Sequence, residues 1–177
     1  MIPNEAAANR PNEPLVALVV SAYVRALADQ LRAALGPRLI GLILFGSCAR
    51  GDHRPGSDVD LLLVVDTADR SADRAVRAAI EAMRHHPTRL AVMEAGLAGT
   101  PELVTISAQR LAEHPWLLLD VAADGVAFCD DGALLAENLA QVRASMQRYG
   151  TRRVTQADGG WYWELKPGMA FGEVVTL

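Results

Sequence analysis

A mixed α+β fold is predicted by three features of the chain. Two continuous apolar runs, Leu39 to Phe45 and Leu61 to Val65, bracket a Gly-Ser turn and a polar loop. Apolar stripes at helical spacing precede and follow that unit, and a further strand-like run, Leu103 to Ile106, comes after the second stripe. Strands interleaved with helices read as an α/β (α+β) sandwich, here a mixed β-sheet with helices packed mainly on one face. At 177 residues the chain is expected to be one domain, 1–177, with a core over about 12–110 and a C-terminal extension over about 111–177 that adds helices and β-structure.

Taken in order, Met1 to Pro11 is polar and alanine-rich and is expected to fray. Asn12 is placed to cap a helix whose first turn holds Glu13 and Pro14. Its stripe is Val16, Val20, Tyr23, Leu27, Leu31 and Leu35, and Gly36-Pro37 stops it. The first strand then leads into Gly46-Ser47-Cys48-Ala49-Arg50-Gly51, a tight turn opening a short helix, and Asp52 to Gly56 forms a surface loop. Ser57-Asp58-Val59-Asp60 opens the second strand. A helix from about Ser71 to His85-His86-Pro87 buries Val76, Ala79, Ile80 and Met83. The two histidines read as a solvated helix end, since adjacent side chains diverge on a helix. After the third strand, Ser107 caps a short helix through Leu111, and Pro115 to Ala122 is helical. Val126 to Cys129 is a short strand, and Asp130 or Asp131 starts a long helix with the stripe Leu135, Leu139, Val142, Met146 and Tyr149, closed by Gly150. Arg152 to Thr155 and Trp161 to Leu165 form a hairpin across Asp158-Gly159-Gly160, and Gly172 to Val175 adds a last strand.

Composition narrows the function. The chain is 51% hydrophobic and 21% charged, as a globular protein is, with net charge −4. An acidic balance argues against strong nucleic-acid binding, which relies on basic groups neutralising phosphates. Together with the small size, it disfavours a template-copying polymerase. The two cysteines, Cys48 and Cys129, have no metal-ligand spacing and suggest no disulfide framework. Cys48 reads as a small filler of the turn. No apolar stretch reaches membrane-spanning length, and the first ten residues lack the basic-then-apolar pattern of a signal peptide, so no membrane association and a cytoplasmic location are expected.

The chemistry concentrates in the turn and the second strand. Alternation on a strand sends Asp58 and Asp60 to the same side, roughly 7 Å apart, while Val59, Leu61 and Val65 take the other face. Paired carboxylates suit Mg²⁺, which keeps several waters and is completed by substrate phosphates. The Gly46-Ser47 bend presents backbone N–H groups where a helix start favours an anion. A magnesium–nucleotide pocket is the predicted product.

Gly46-Ser47-Cys48-Ala49-Arg50-Gly51, followed by Ser57-Asp58-Val59-Asp60, resembles the G-S-x-x-R-G…S-D-x-D motif of the DNA polymerase β-like nucleotidyltransferase superfamily, in its minimal nucleotidyltransferase type. The resemblance is tight over residues 39–65 and extends to about residue 110. It implies that Gly46, Ser47, Arg50 and Ser57 bind nucleotide, and that Asp58 and Asp60 ligate a pair of Mg²⁺ ions. A third carboxylate on a later strand completes such sites, and Glu102 at the mouth of the third strand is the candidate; Glu94 reads as an exposed helical residue. Asp58, Asp60 and Glu102 are therefore the expected catalytic and metal-binding set. Arg50 has a second reading, a salt bridge closing the turn.

The implied activity is transfer of a nucleoside monophosphate from an NTP, with ATP foremost, to a hydroxyl of an acceptor protein or small molecule, releasing pyrophosphate. The alternative is a nucleotide-binding module with little or no turnover, acting through a protein partner as an antitoxin does, with a homodimer or a toxin-like partner as the assembly. Trp161 and Trp163 share a strand face and either stack on a base or another chain, or cover the flank of the sheet. His53, Arg54 and Lys166 have two readings, a contact to substrate or plain surface residues, and for Lys166 the surface reading is preferred.

Overall fold

The computed structural model describes residues 13–157 and 160–176. The expected cap at Asn12, the expected fraying of Met1 to Pro11 and the centre of the turn at Asp158-Gly159 lie outside them. In order, the elements are α1 (Glu13–Leu35), a single 3₁₀ turn (Gly36–Arg38), β1 (Leu39–Leu44), α2 (Gly46–Arg50), β2 (Val59–Val65), α3 (Arg70–Ala82) and α4 (Pro87–Glu94). There follow β3 (Pro101–Ser107), α5 (Ala108–Ala112), α6 (Leu117–Asp124), β4 (Val126–Asp130), α7 (Leu134–Tyr149), β5 (Arg152–Thr155) and β6 (Trp161–Glu164).

A four-stranded sheet has the order β3-β2-β1-β4, and β5 with β6 makes a separate two-stranded sheet. β1 runs antiparallel to both β2 and β4, whereas β2 and β3 are parallel. Parallel neighbours need a crossover, and α3 with α4 supplies it. The mixed sheet and the α+β class are as the sequence predicts.

The helical cover differs from the one-sided arrangement expected. Val59, Leu61, Leu63 and Val65 of β2 join one buried cluster with α1, α3 and α4. Leu62 and Val64 join a second with α5, α6 and α7. The physical reason is visible in β2 itself. A strand apolar at every position from Leu61 to Val65 must hide both faces from water, and all five residues are buried. Helices on both sides provide that.

Local signals explain most boundaries. The α1 stripe is buried as predicted, from Val16 to Leu35. Asp69 caps α3 by accepting from the Ser71 and Ala72 N–H groups, both at 2.8 Å. His86, expected at a solvated helix end, instead caps α4, where Nδ1 accepts from the Thr88 N–H at 3.3 Å and Pro87 takes the first turn. Ser107 caps α5 as predicted. α7 begins at Leu134, later than expected, because Asp130 acts from β4: its carboxylate accepts from the Leu135 and Ala136 N–H groups at 3.1 and 3.0 Å. Gly172 to Val175 is not a strand. There Glu173 pairs with Lys166 and accepts from the Ala170 N–H, closing an irregular loop. Among the described residues no helix is long and apolar enough to cross a membrane.

Candidate active site

The end of β1, the short α2 and the start of β2 meet at one corner of the sheet. Phe45, between β1 and α2, donates its N–H to the Asp60 carbonyl at 3.0 Å, so the chain entering the turn is fixed to the strand leaving it. Gly46 follows at φ +70°, a left-handed conformation that glycine adopts without strain. A second constraint acts at the same residue. A Cβ on Gly46 would lie 1.9 Å from Asp60 Oδ2, so the bend and the carboxylate are in direct apposition. Gly51 closes α2 in the left-handed region at φ 79°.

Asp60 is the electrostatic centre of this corner. Burial raises the pKa of its carboxyl, and the negative charges of Asp58 and Glu102 push it higher; Arg50 and a hydrogen bond from the Ser47 backbone N–H act in the opposite sense. The Ser47 amide, expected to be available for phosphate, is thus directed at Asp60. Glu102 stands opposite Asp60 in the parallel register of β2 and β3, and it is exposed. Glu94 is also exposed, at the end of α4. Asp58, Asp60 and Glu102 interact through their charges. They do not form a closed three-donor site, and among the described residues no group of three metal-ligating side chains is assembled.

That donor set still fits Mg²⁺. Its ligands are hard carboxylate oxygens, and a cation would offset both the burial of the Asp60 charge and its repulsion by Asp58 and Glu102, which together raise the Asp60 pKa. Mg²⁺ characteristically takes one or two protein carboxylates, with phosphate oxygens and water filling its octahedron, so a pair of aspartates without a preformed cage suits it.

Arg50 adopts the salt-bridged arrangement. Its Nε lies 3.1 Å from Asp52 Oδ2 and its NH1 3.6 Å from Asp124 Oδ2. The guanidinium also lies over Trp161, 5.9 Å from the ring centroid. Ser57 is occupied in the loop: its hydroxyl accepts from the Arg54 N–H at 2.8 Å, and its carbonyl accepts from the Ala98 N–H at 2.9 Å. It therefore anchors the start of β2 to the segment after α4. Cys48 is a filler, as predicted. Its Sγ–H donates to the Asp58 carbonyl at 3.3 Å, and burial, aided by Asp60, pushes the thiol up to about 11. Lys166 pairs with Glu173 at 2.6 Å.

The sequence reading missed Asp124 and Arg153. Asp124, the last residue of α6, pairs with both Arg50 and Arg153. No local spacing announces that cluster. The one available hint was the Trp161-Tyr162-Trp163 run, since exposed tryptophans invite guanidinium stacking.

A family model described as "Nucleotidyltransferase domain" matches residues 24–128, more than half of the chain. No curated protein sequence matches. Among solved structures, the chain is similar to a toxin–antitoxin complex with AMP-PNP, at 15% identity and a TM-score of 0.41, over 71% of this chain and 92% of the other. It is similar to a proposed nucleotidyltransferase from Sulfolobus solfataricus at 17% identity and a TM-score of 0.41, over 71% and 93%. A tri-AMPylated Shewanella oneidensis HEPN toxin in complex with MNT antitoxin gives 14% identity and a TM-score of 0.37, over 75% and 91%.

Proposed function

The chain belongs to the nucleotidyltransferase domain family, and from that premise we propose that it moves a nucleoside monophosphate from a nucleoside triphosphate, with ATP foremost, to a hydroxyl of a protein or small-molecule acceptor. The acceptor oxygen forms a bond to the α-phosphorus, the bond from that phosphorus to the bridging oxygen breaks, and pyrophosphate leaves. The observation that carries this reading is the direct apposition of Asp60 and Gly46, which sets an acidic strand mouth against the Gly-Ser bend.

Each residue has a part derived from its position. Asp58 and Asp60, with Glu102 beside them, would hold the two Mg²⁺ ions, which when bound supply positive charge to the triphosphate and polarise its reacting oxygens. The Gly46-Ser47 bend and the Ser47 hydroxyl receive the β- and γ-phosphates. The Ser47 N–H, which hydrogen-bonds to Asp60 here, would be a donor for a phosphate oxygen, and bound Mg²⁺ would supply the positive charge that Asp60 otherwise draws from that N–H. Arg50 faces the same phosphates with its charge, and Ser57 keeps Asp58 in place. Glu102, exposed and next to Asp60, takes the proton of the attacking hydroxyl. No covalent enzyme intermediate is needed, because positioning and charge stabilisation suffice for phosphoryl transfer.

A second reading, a nucleotide-binding module without turnover that acts through a partner protein, is favoured by one observation: Glu102 is not gathered with the two aspartates into a closed acid cluster. Pyrophosphate release with ATP, Mg²⁺ and a panel of hydroxyl-bearing acceptors separates the two. Release that disappears in Asp58→Asn/Asp60→Asn supports transfer. Tight ATP binding with no release under any acceptor supports the module.

A further inference from the structure

The ion pairs around Arg50 continue past the end of the matched domain. The match stops at residue 128, whereas β5 and β6 come later in the chain. Nevertheless Arg153 of β5 reaches back to Asp124, the carboxylate that also pairs with Arg50. Arg153 holds Asp120 as well, at 3.2 Å, and the Trp163 indole N–H donates to that same Asp120 oxygen at 3.3 Å. The Arg153 guanidinium lies 4.6 Å from the Trp161 ring centroid and 4.7 Å from that of Trp163. Trp161 in turn underlies Arg50. The hairpin therefore touches the nucleotide turn twice, through a shared carboxylate and through a shared aromatic ring.

The electrostatics give this contact a direction. Asp124 ends α6, where the helix dipole disfavours an anion, so it draws in whatever cations are near. Arg50 and Arg153 compete for it, and Arg153 is the closer of the two. With Arg153 in place, most of the Asp124 charge is spent on the hairpin, and the pull on Arg50 acts across 3.6 Å. Without Arg153, Asp120 and Asp124 become surplus negative charges beside the place where a triphosphate must sit, and Asp124 draws Arg50 away from it.

We propose that the β5–β6 hairpin is a working part of the nucleotide site, with Arg153 and Asp124 as positioning residues that govern how freely Arg50 meets the triphosphate. This rests on the reading of Arg50 as a phosphate contact. The test measures equilibrium binding of ATP, GTP, CTP and UTP with Mg²⁺, and KM and kcat where turnover is found. Arg153→Met is expected to weaken binding and raise KM about five-fold, the scale of one partly exposed charge pair, with kcat changed less than about two-fold. Arg153→Lys stays within about two-fold of wild type, because the charge is kept. Asp124→Asn placed in the Arg153→Met background restores affinity to within about two-fold, since it removes the surplus charge that Arg153→Met exposes. A folded Arg153→Met with wild-type affinity overturns the inference, as does a double variant weaker than Arg153→Met alone, the result a purely structural network gives. Should Arg153→Met fail to fold, Trp161→Leu on the exposed side of the hairpin carries the test: nucleotide affinity weakened about three-fold or more supports the inference, and affinity within about two-fold of wild type overturns it. A wild-type chain that binds no nucleotide overturns the function proposed above and this inference with it; every other adverse result overturns this inference alone.

Discussion

Substituting Gly46 by alanine examines the geometry of the site at its tightest point. Two separate effects add there. The left-handed backbone at φ +70° costs a side-chain-bearing residue about 1 kcal/mol. The new Cβ would then stand 1.9 Å from Asp60 Oδ2 and 2.7 Å from its Cγ. Restoring an ordinary contact of about 3.5 Å requires the carboxylate to retreat by roughly 1.5 Å. A misplacement of about 1 Å at a reacting centre costs on the order of 100-fold in rate. Gly46→Ala should therefore lose about 100-fold in pyrophosphate release while losing about 2 kcal/mol of stability in chemical denaturation. Gly51→Ala is the matched control. Gly51 has φ +79° but open space around its Cα, so it pays the backbone strain without displacing anything. It should lose about 1 kcal/mol and keep its rate within a few-fold. Equal rate losses in the two variants would refute the reasoning, because strain alone would then explain both. So would a Gly46→Ala protein that retains wild-type activity.

Other expectations follow from the same corner and from the caps. Asp60 has a raised pKa in the folded protein, so the folded chain holds more protons than the unfolded one just above the ordinary carboxylate range, and stability falls as pH rises through that window. Asp60→Asn should accordingly raise the Tm of the metal-free protein at neutral pH, lose that advantage near pH 3, and abolish pyrophosphate release; a lower Tm at neutral pH counts against the charge repulsion. Glu102→Gln should lower kcat by about 10- to 100-fold with KM nearly unchanged, as loss of a proton acceptor does, and steady-state kinetics showing a KM effect alone would remove Glu102 from that role. Asp130→Ala, which deletes both acceptors at the start of α7, should cost about 1–2 kcal/mol in urea denaturation with the activity intact.

Much of the fold was legible because its signals are local. The α1 stripe, the Gly-Ser bend, the Ser107 cap and the Gly150 stop each depend on residues within a few positions of one another. The proximity of Asp60 to Gly46 is legible for the same reason, since the turn and the strand mouth are close in the chain. Where the reading went astray, a local signal had two meanings. Pro87 after two histidines reads as a helix stop, yet proline also fits the first turn of a helix, and His86 supplies the cap that makes it a start. The run Leu61 to Val65 reads as a strand, and an uninterrupted apolar strand needs cover on both faces, which one-sided helical packing does not provide. The Arg50–Asp124–Arg153 cluster was not legible at all. Asp124 and Arg153 lie 29 residues apart, and only the docking of the hairpin brings them together. Burial of Trp163 and Leu165 against the α6–α7 core accomplishes that docking, which no periodicity in the sequence encodes.

The central claim is that the acidic mouth of β2 and the Gly-Ser bend together form a site for a nucleoside triphosphate and its magnesium. Equilibrium binding of ATP to the wild-type chain, with Mg²⁺ and then with EDTA, tests it most directly. Affinity should be at least about ten-fold higher with Mg²⁺, and Asp58→Asn/Asp60→Asn should lose that gain. Identical affinity with and without the metal, or a gain that survives loss of both aspartates, would contradict it.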